Sequence, residues 1–140
     1  MFVGSVLIGT YLNGMNVLAY RFSDWYLSKT LVYSALLMAS NMCILEVLMF
    51  YSYTGEFHWK VLLSFVILSI ILVAFLREQV GIKDKDWLRR MISHHSTALT
   101  TSHKIEERTE NKNVKTLARQ IIATQEREIE VMKQYLAQGA

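Results

Sequence analysis

Six side chains stand out in the C-terminal half of the chain: Met91, His94 and His95, then Gln125, Glu128 and Met132. Each falls on or beside an apolar stripe where a helical pattern asks for Leu or Ile. Thioether sulfur and imidazole nitrogen together suit copper or silver, while a carboxylate or amide can orient an imidazole or add a ligand. If the two stripes fold back on each other about Asn111, residues equidistant from the turn face each other. That pairs Met91 with Met132, His94 with Glu128 and His95 with Gln125. Six out-of-pattern residues thus meet at one level, where a buried unpaired polar group would cost about 1–3 kcal/mol. Two solutions satisfy them: a bound soft metal ion, or hydrogen-bonded pairs such as His95 with Gln125 and His94 with Glu128.

Other chemistry is poorly supplied. The chain has no His-Glu-x-x-His, which removes a zinc-protease helix, and these helices carry no Glu-x-x-His for a di-iron centre. His103 with Glu106 and Glu107 reads as a solvated ion-pair cluster. No nucleophile, base and orienting group form a set, so no enzyme is expected. A second sulfur-rich face, Ala39, Met42, Cys43, Glu46 and Met49 with Met38 beside it, sits in an apolar run. There it reads either as a Cu(I)-like site or as ordinary packing around a protonated or amide-bonded Glu46.

The elements that must hold these groups follow from periodicity. Residues 84–108 and 114–137 read as two amphipathic helices separated by Thr109-Glu110-Asn111-Lys112-Asn113, with Asn113 as the N-cap. Leu88, Met91, Ile92, His95, Ala98, Leu99 and Ser102 form the first stripe. Val114, Ala118, Ile121, Ile122, Gln125, Glu128, Ile129, Met132 and Leu136 form the second. Lys104, Arg108, Lys115, Arg119, Arg127 and Lys133 read as solvated faces.

Upstream, the composition changes. Apolar residues make up 52% of the 140-residue chain and charged ones 19%, below the roughly 25% charged of soluble domains. Nearly all the charge lies beyond residue 76. Runs over about 2–20, 31–53 and 60–77 predict three transmembrane helices, with aromatic and basic residues at the connectors. No cleaved leader is expected, since the first run lacks a basic start and a small-residue cleavage site. Ser5, Gly9, Asn13 and Asn16 recur at helical spacing in the first run, a face suited to close helix contact. The lone Cys43 excludes an internal disulfide, and the absence of proline argues against a turn-rich β fold. The organisation expected is therefore all-α: a membrane region over 1–80 and a helical hairpin over 81–140. Basic residues flanking the spans place the hairpin in the cytoplasm by the positive-inside rule.

The segment Asp86-Trp87-Leu88-Arg89-Arg90-Met91-Ile92-Ser93-His94-His95-Ser96, followed by Ala98, resembles the signature of the domain of unknown function 305 family. Leu117-Ala118-Arg119-Gln120-Ile121-Ile122, then Gln125, Glu128-Ile129 and Met132, resembles that family's second helix. The three preceding runs resemble its membrane-anchored branch. The resemblance implies a ferritin-like hairpin that binds copper, with silver as a surrogate, through Met91, His94, His95 and Met132, supported by Gln125 and Glu128. The family commonly carries proline where this chain has Ser93. A single hairpin would need a second chain to build a four-helix bundle, so a homo-oligomer through the hairpin is expected. Metal-handling relatives work outside the cytoplasm, opposite to the charge count, and the side stays open. The expected role is sequestration or hand-off of a soft metal ion by a multi-pass membrane protein, with the bilayer as partner and no nucleic acid. The competing role is a metal-free interaction module whose polar residues set register.

Overall fold

The computed structural model describes residues 2–139, and these hold helices and no strand. The outer limits of the expected ranges, Met1 and Ala140, lie outside the described residues. The chain forms two compact units, but not by a single cut. Residues up to Leu12 join Lys29–Gly81 in the first unit, and Asn13–Ser28 join the residues from Ile82 onward in the second. One change of unit falls between Gly81 and Ile82, and the 16-residue connector 13–28 belongs with the second unit.

The first apolar run departs from expectation. Helix α1 covers only Phe2–Tyr11. The Asn13 side chain then accepts hydrogen bonds from the amides of Met15 and Asn16, at 3.0 and 3.1 Å, capping a separate single turn, α2, Gly14–Val17. An Asn offered to a helix interior competes for nearby backbone N–H groups, and here it ends one helix and starts another. Ten residues rise about 15 Å, half the hydrocarbon thickness of a bilayer. Two helices among the described residues, not three, are long and apolar enough to cross a membrane: α3, Lys29–Thr54, and α4, Trp59–Arg77.

Within the first unit, α3 packs against both α1 and α4. Small side chains set the approach: an added Cβ on Gly9 would stand 3.4 Å from the Ala35 Cβ. Ala35, Ala39, Ser40 and Cys43 are buried along α3. Ser40 Oγ donates to the Phe65 carbonyl at 2.9 Å, and Ser69 Oγ donates to Ser40 Oγ and Asn41 Oδ1 at 2.9 and 3.0 Å. Small and hydroxylic residues at helix contacts are what apolar surroundings favour. The sulfur face divides accordingly. Ala39 and Cys43 turn inward, while Met38, Met42 and Met49 are exposed, because bulky thioethers cannot occupy the close contact. Glu46 lines a cleft with Cys43, Phe50, His58 and Phe65.

In the second unit, α5 spans Asp84–Arg108 as expected, with Asp84 and Asp86 in the first turn and Arg108 in the last, matching the helix dipole. Helix α6 spans Lys112–Ala137 and begins two residues before the expected start. Its cap is Asn111, not Asn113: Asn111 Oδ1 accepts from the amides of Asn113 and Val114 at 2.9 and 3.3 Å. The core is Leu88, Ile92 and Leu99 from α5 with Ile129 and Met132 from α6, and Tyr26, Met91, Ile122 and Leu136 pack around it. Val114, expected in the stripe, is exposed near the tip. The cap assignment is directly testable. Asn111→Ala should cost about 1 kcal/mol of stability while Asn113→Ala changes little, measured by urea unfolding of the full chain in detergent micelles.

Candidate metal centre

The site begins with the connector. Residues 13–28 run as a strap along α5, and Asp24, in a 3₁₀ turn over Phe22–Asp24, is 1% exposed. Its Oδ1 lies 2.5 Å from Lys133 Nζ on α6, and its Oδ2 accepts from Ser96 Oγ on α5 at 2.9 Å. Ser93 Oγ donates to the Asp24 carbonyl at 3.0 Å and accepts from Tyr26 N at 3.3 Å. Tyr20 N donates to Ser96 Oγ at 2.7 Å, and Thr97 Oγ1 donates to the Met15 carbonyl at 3.2 Å. Arg90 contacts Met15 Sδ. One buried carboxylate thus ties both helices of the hairpin to the strap.

This corrects three expectations. Lys133 is not a solvated cation but the partner of Asp24. The buried face of α5 is centred on Ile92, Ser93, Ser96 and Leu99, because the strap covers the serine side. The stripe's other flank, Met91, His95 and Ala98, is therefore only half-buried. The cluster at His103 also divides: Glu106 pairs with Arg119 Nε at 2.7 Å, Glu107 with Lys104 at 2.9 Å, and His103 stacks on Tyr20 with ring centroids 5.0 Å apart.

On the flank away from the serines, α5 and α6 leave a groove of about 460 Å³ lined by Trp87, Met91, His95, Arg127, Glu128, Val131 and Met132. Four of the six candidate residues come together there: Met91, His95, Glu128 and Met132. His94 does not, since it is exposed one helical step further round, with its ring centroid 6.1 Å from that of His95. Gln125 is not among the lining residues either; its Oε1 is buried without a hydrogen-bond partner. Glu128 is consequently matched with His95 rather than His94, its Oε2 lying 3.2 Å from His95 Nδ1. That is an ion-pair distance, but the ring N–H is not aimed at the oxygen, so Nδ1 is buried without a hydrogen bond.

The His95 side chain is 12% exposed. Burial holds its pKa below the ordinary value; Glu128 opposes that shift and His94 adds to it. A depressed pKa leaves the imidazole neutral at pH 7, the form that ligates metal. Among the described residues no three His, Cys, Asp or Glu side chains cluster as a metal site, so any cation in this groove would depend on methionine sulfur. Two thioethers and one imidazole are a donor set for a soft monovalent ion, with a carboxylate placed to orient the ring.

Residues 74–138 match the model for the Domain of unknown function (DUF305). The chain is also 35% identical over 136 residues to an uncharacterized protein of Acanthamoeba polyphaga mimivirus, covering 97% of this chain and 88% of that relative. The chain belongs to the DUF305 family. No solved structure matches it. In this DUF305 protein the matched segment takes in both hairpin helices and omits the strap, whereas the mimivirus relative aligns across strap and apolar helices too.

Sequence reasoning missed Asp24, Ser93, Ser96 and Lys133 as a group. The available signal was a lone acid in a short connector and hydroxyls at 93, 96 and 102 beside the apolar stripe.

Two outcomes are expected. Lys133→Ala, which strands a buried carboxylate, should destabilise the chain by about 3 kcal/mol, with partial recovery in Asp24→Asn/Lys133→Met, read by urea unfolding. His95 should titrate below 6.5, and Glu128→Gln should lower it further, read by NMR of the imidazole carbons. The unfolded chain binds the proton that the fold rejects. His95 therefore contributes stability fully present above its unfolded pKa and lost as pH falls through that window.

Proposed function

We propose that this protein is a multi-pass membrane protein that holds a soft metal ion, copper above all, in the α5–α6 groove for sequestration or transfer. Met91, Met132 and His95 are the ligands, and Glu128 orients the imidazole. The observation that carries the reading is the convergence of two thioethers and a largely covered imidazole on one groove, with Glu128 Oε2 3.2 Å from His95 Nδ1. Membrane insertion is supported by α3 and α4, whose apolar side chains are largely exposed, unlike the core helices of a soluble protein. A helical pair that crosses twice returns the chain to the side it left. This agrees with Asn13–Ser28 and the hairpin forming one unit.

A second reading is favoured by the exposed row Leu117, Val131 and Tyr135 on α6 with Trp87 on α5: self-association through the hairpin, with or without metal.

The test is titration of the full chain in detergent with Ag(I) and with Cu(I) under reducing conditions. His95→Ala, Met91→Leu and Met132→Leu should each remove binding, while His94→Ala leaves it in place. Glu128→Gln should weaken it about 10-fold, the scale of an orienting carboxylate. Binding that survives His95→Ala overturns the metal reading. Metal-independent dimerisation in sedimentation, lost on Leu117→Glu, would establish the second.

A further inference from the structure

We propose that the outward side of the strap is a lipid-interface anchor, with Val17, Phe22, Trp25 and Leu27 seated among the headgroups and first methylenes of a bilayer. The inference rests on the reading of α3 as a membrane-crossing helix.

The strap is two-sided. Its inward residues, Asp24 and Ser28, are 1% and 3% exposed, and Tyr26 packs on the hairpin core. Its outward residues are large, apolar and bare: Phe22 is 91% exposed, and Val17, Trp25 and Leu27 are exposed too. Isolated exposed apolar residues need no explanation. Four within eleven residues, opposite a buried carboxylate on the same short segment, do need one.

Connectivity selects the occupant. Leu27 and Trp25 precede Lys29, the first residue of α3, by two and four positions. An extended chain advances at most about 3.6 Å per residue, so they lie within about 7 and 14 Å of that helix end. The polar layer on each side of the hydrocarbon is about 5–8 Å deep, so this tether confines Leu27 to it and Trp25 to within several ångströms of it. The residue types agree, since an indole suits the bilayer interface. A second copy or a soluble partner has no comparable tether. The consequence is that the segment Asp24 clasps is itself a membrane-surface element rather than a loose linker.

The experiment uses the full chain in nanodiscs of phosphatidylcholine and phosphatidylglycerol, with acyl chains brominated near the ester end or left plain. Three single-tryptophan variants are compared: W59F/W87F keeps Trp25, W25F/W87F keeps Trp59, and W25F/W59F keeps Trp87. Trp59 stands at the first residue of α4 and reports insertion itself. The proposal expects brominated lipid to quench Trp25 by half or more, as it does Trp59, with Trp25 shielded from aqueous iodide. Trp59 quenched while Trp25 is open to iodide overturns the anchor and leaves the spanning reading intact. Trp25 shielded from both quenchers overturns it in favour of a protein occupant. Neither Trp25 nor Trp59 quenched overturns the spanning reading and the anchor with it. As a check independent of tryptophan, a spin label on F22C in a C43A background should be more accessible to oxygen than to a water-soluble nickel chelate. The reverse order overturns the proposal.

Discussion

A carboxylate removed from water is the constraint around which the second unit is organised. Burying an unpaired charge costs several kcal/mol even after relaxation. Asp24 is therefore tolerated only because Lys133, Ser96 and Ser23 supply a cation and hydroxyl donors to its oxygens. Those donors come from three different stretches of chain. The carboxylate cannot be satisfied until strap, α5 and α6 are all in place, and this makes the three elements cooperative. The carbonyl of the same residue takes the Ser93 hydroxyl, so side chain and backbone of Asp24 both engage one face of α5.

That arrangement bears on the groove. Ser96 and Lys133, which grip Asp24, are the chain neighbours of His95 and Met132. Clasping the helices on the strap side fixes their spacing and register at the level of the groove that Met91, His95 and Met132 line on the other side. Ser93 matters in the same terms. A proline there has no hydroxyl to offer the strap and kinks the helix by removing a backbone hydrogen bond. Serine keeps α5 unbroken over Asp84–Arg108 and donates to Asp24.

Much of this architecture was legible in the residues. The periodicity of α5 gave both of its ends, and the apolar stripes gave Leu88, Ile92, Leu99, Ile129 and Met132 as core. Folding about Asn111 brought Met91, His95, Glu128 and Met132 to one level, though with Glu128 matched to the wrong histidine. What stayed hidden has a common physical origin. An amphipathic pattern shows that a helix has a covered face, but the width and centre of that face depend on what covers it. Here the cover is a segment some 70 residues upstream, which draws the buried face toward Ser93 and Ser96 and leaves His94 in solvent. Lys133 looked solvated for the same reason, its partner being remote in sequence. Asn13 misled in the opposite direction. A local side-chain to backbone competition broke a run whose mean hydropathy suited a full span.

The exchange of the strap between units also changes how Asp24 closes its network. Ion pairs of this kind are marginal when two free segments must be brought together, because ordering them opposes the Coulombic gain. The strap is not a free segment. It is held at one end by α1 and at the other by α3, which pack against each other in the first unit, and its path is short. Most of the entropy of bringing Asp24 to the hairpin is thereby removed before contact, as in any intramolecular association with a short tether. A buried charge pair that would be a doubtful stabiliser between separate molecules becomes a clasp between segments of one chain.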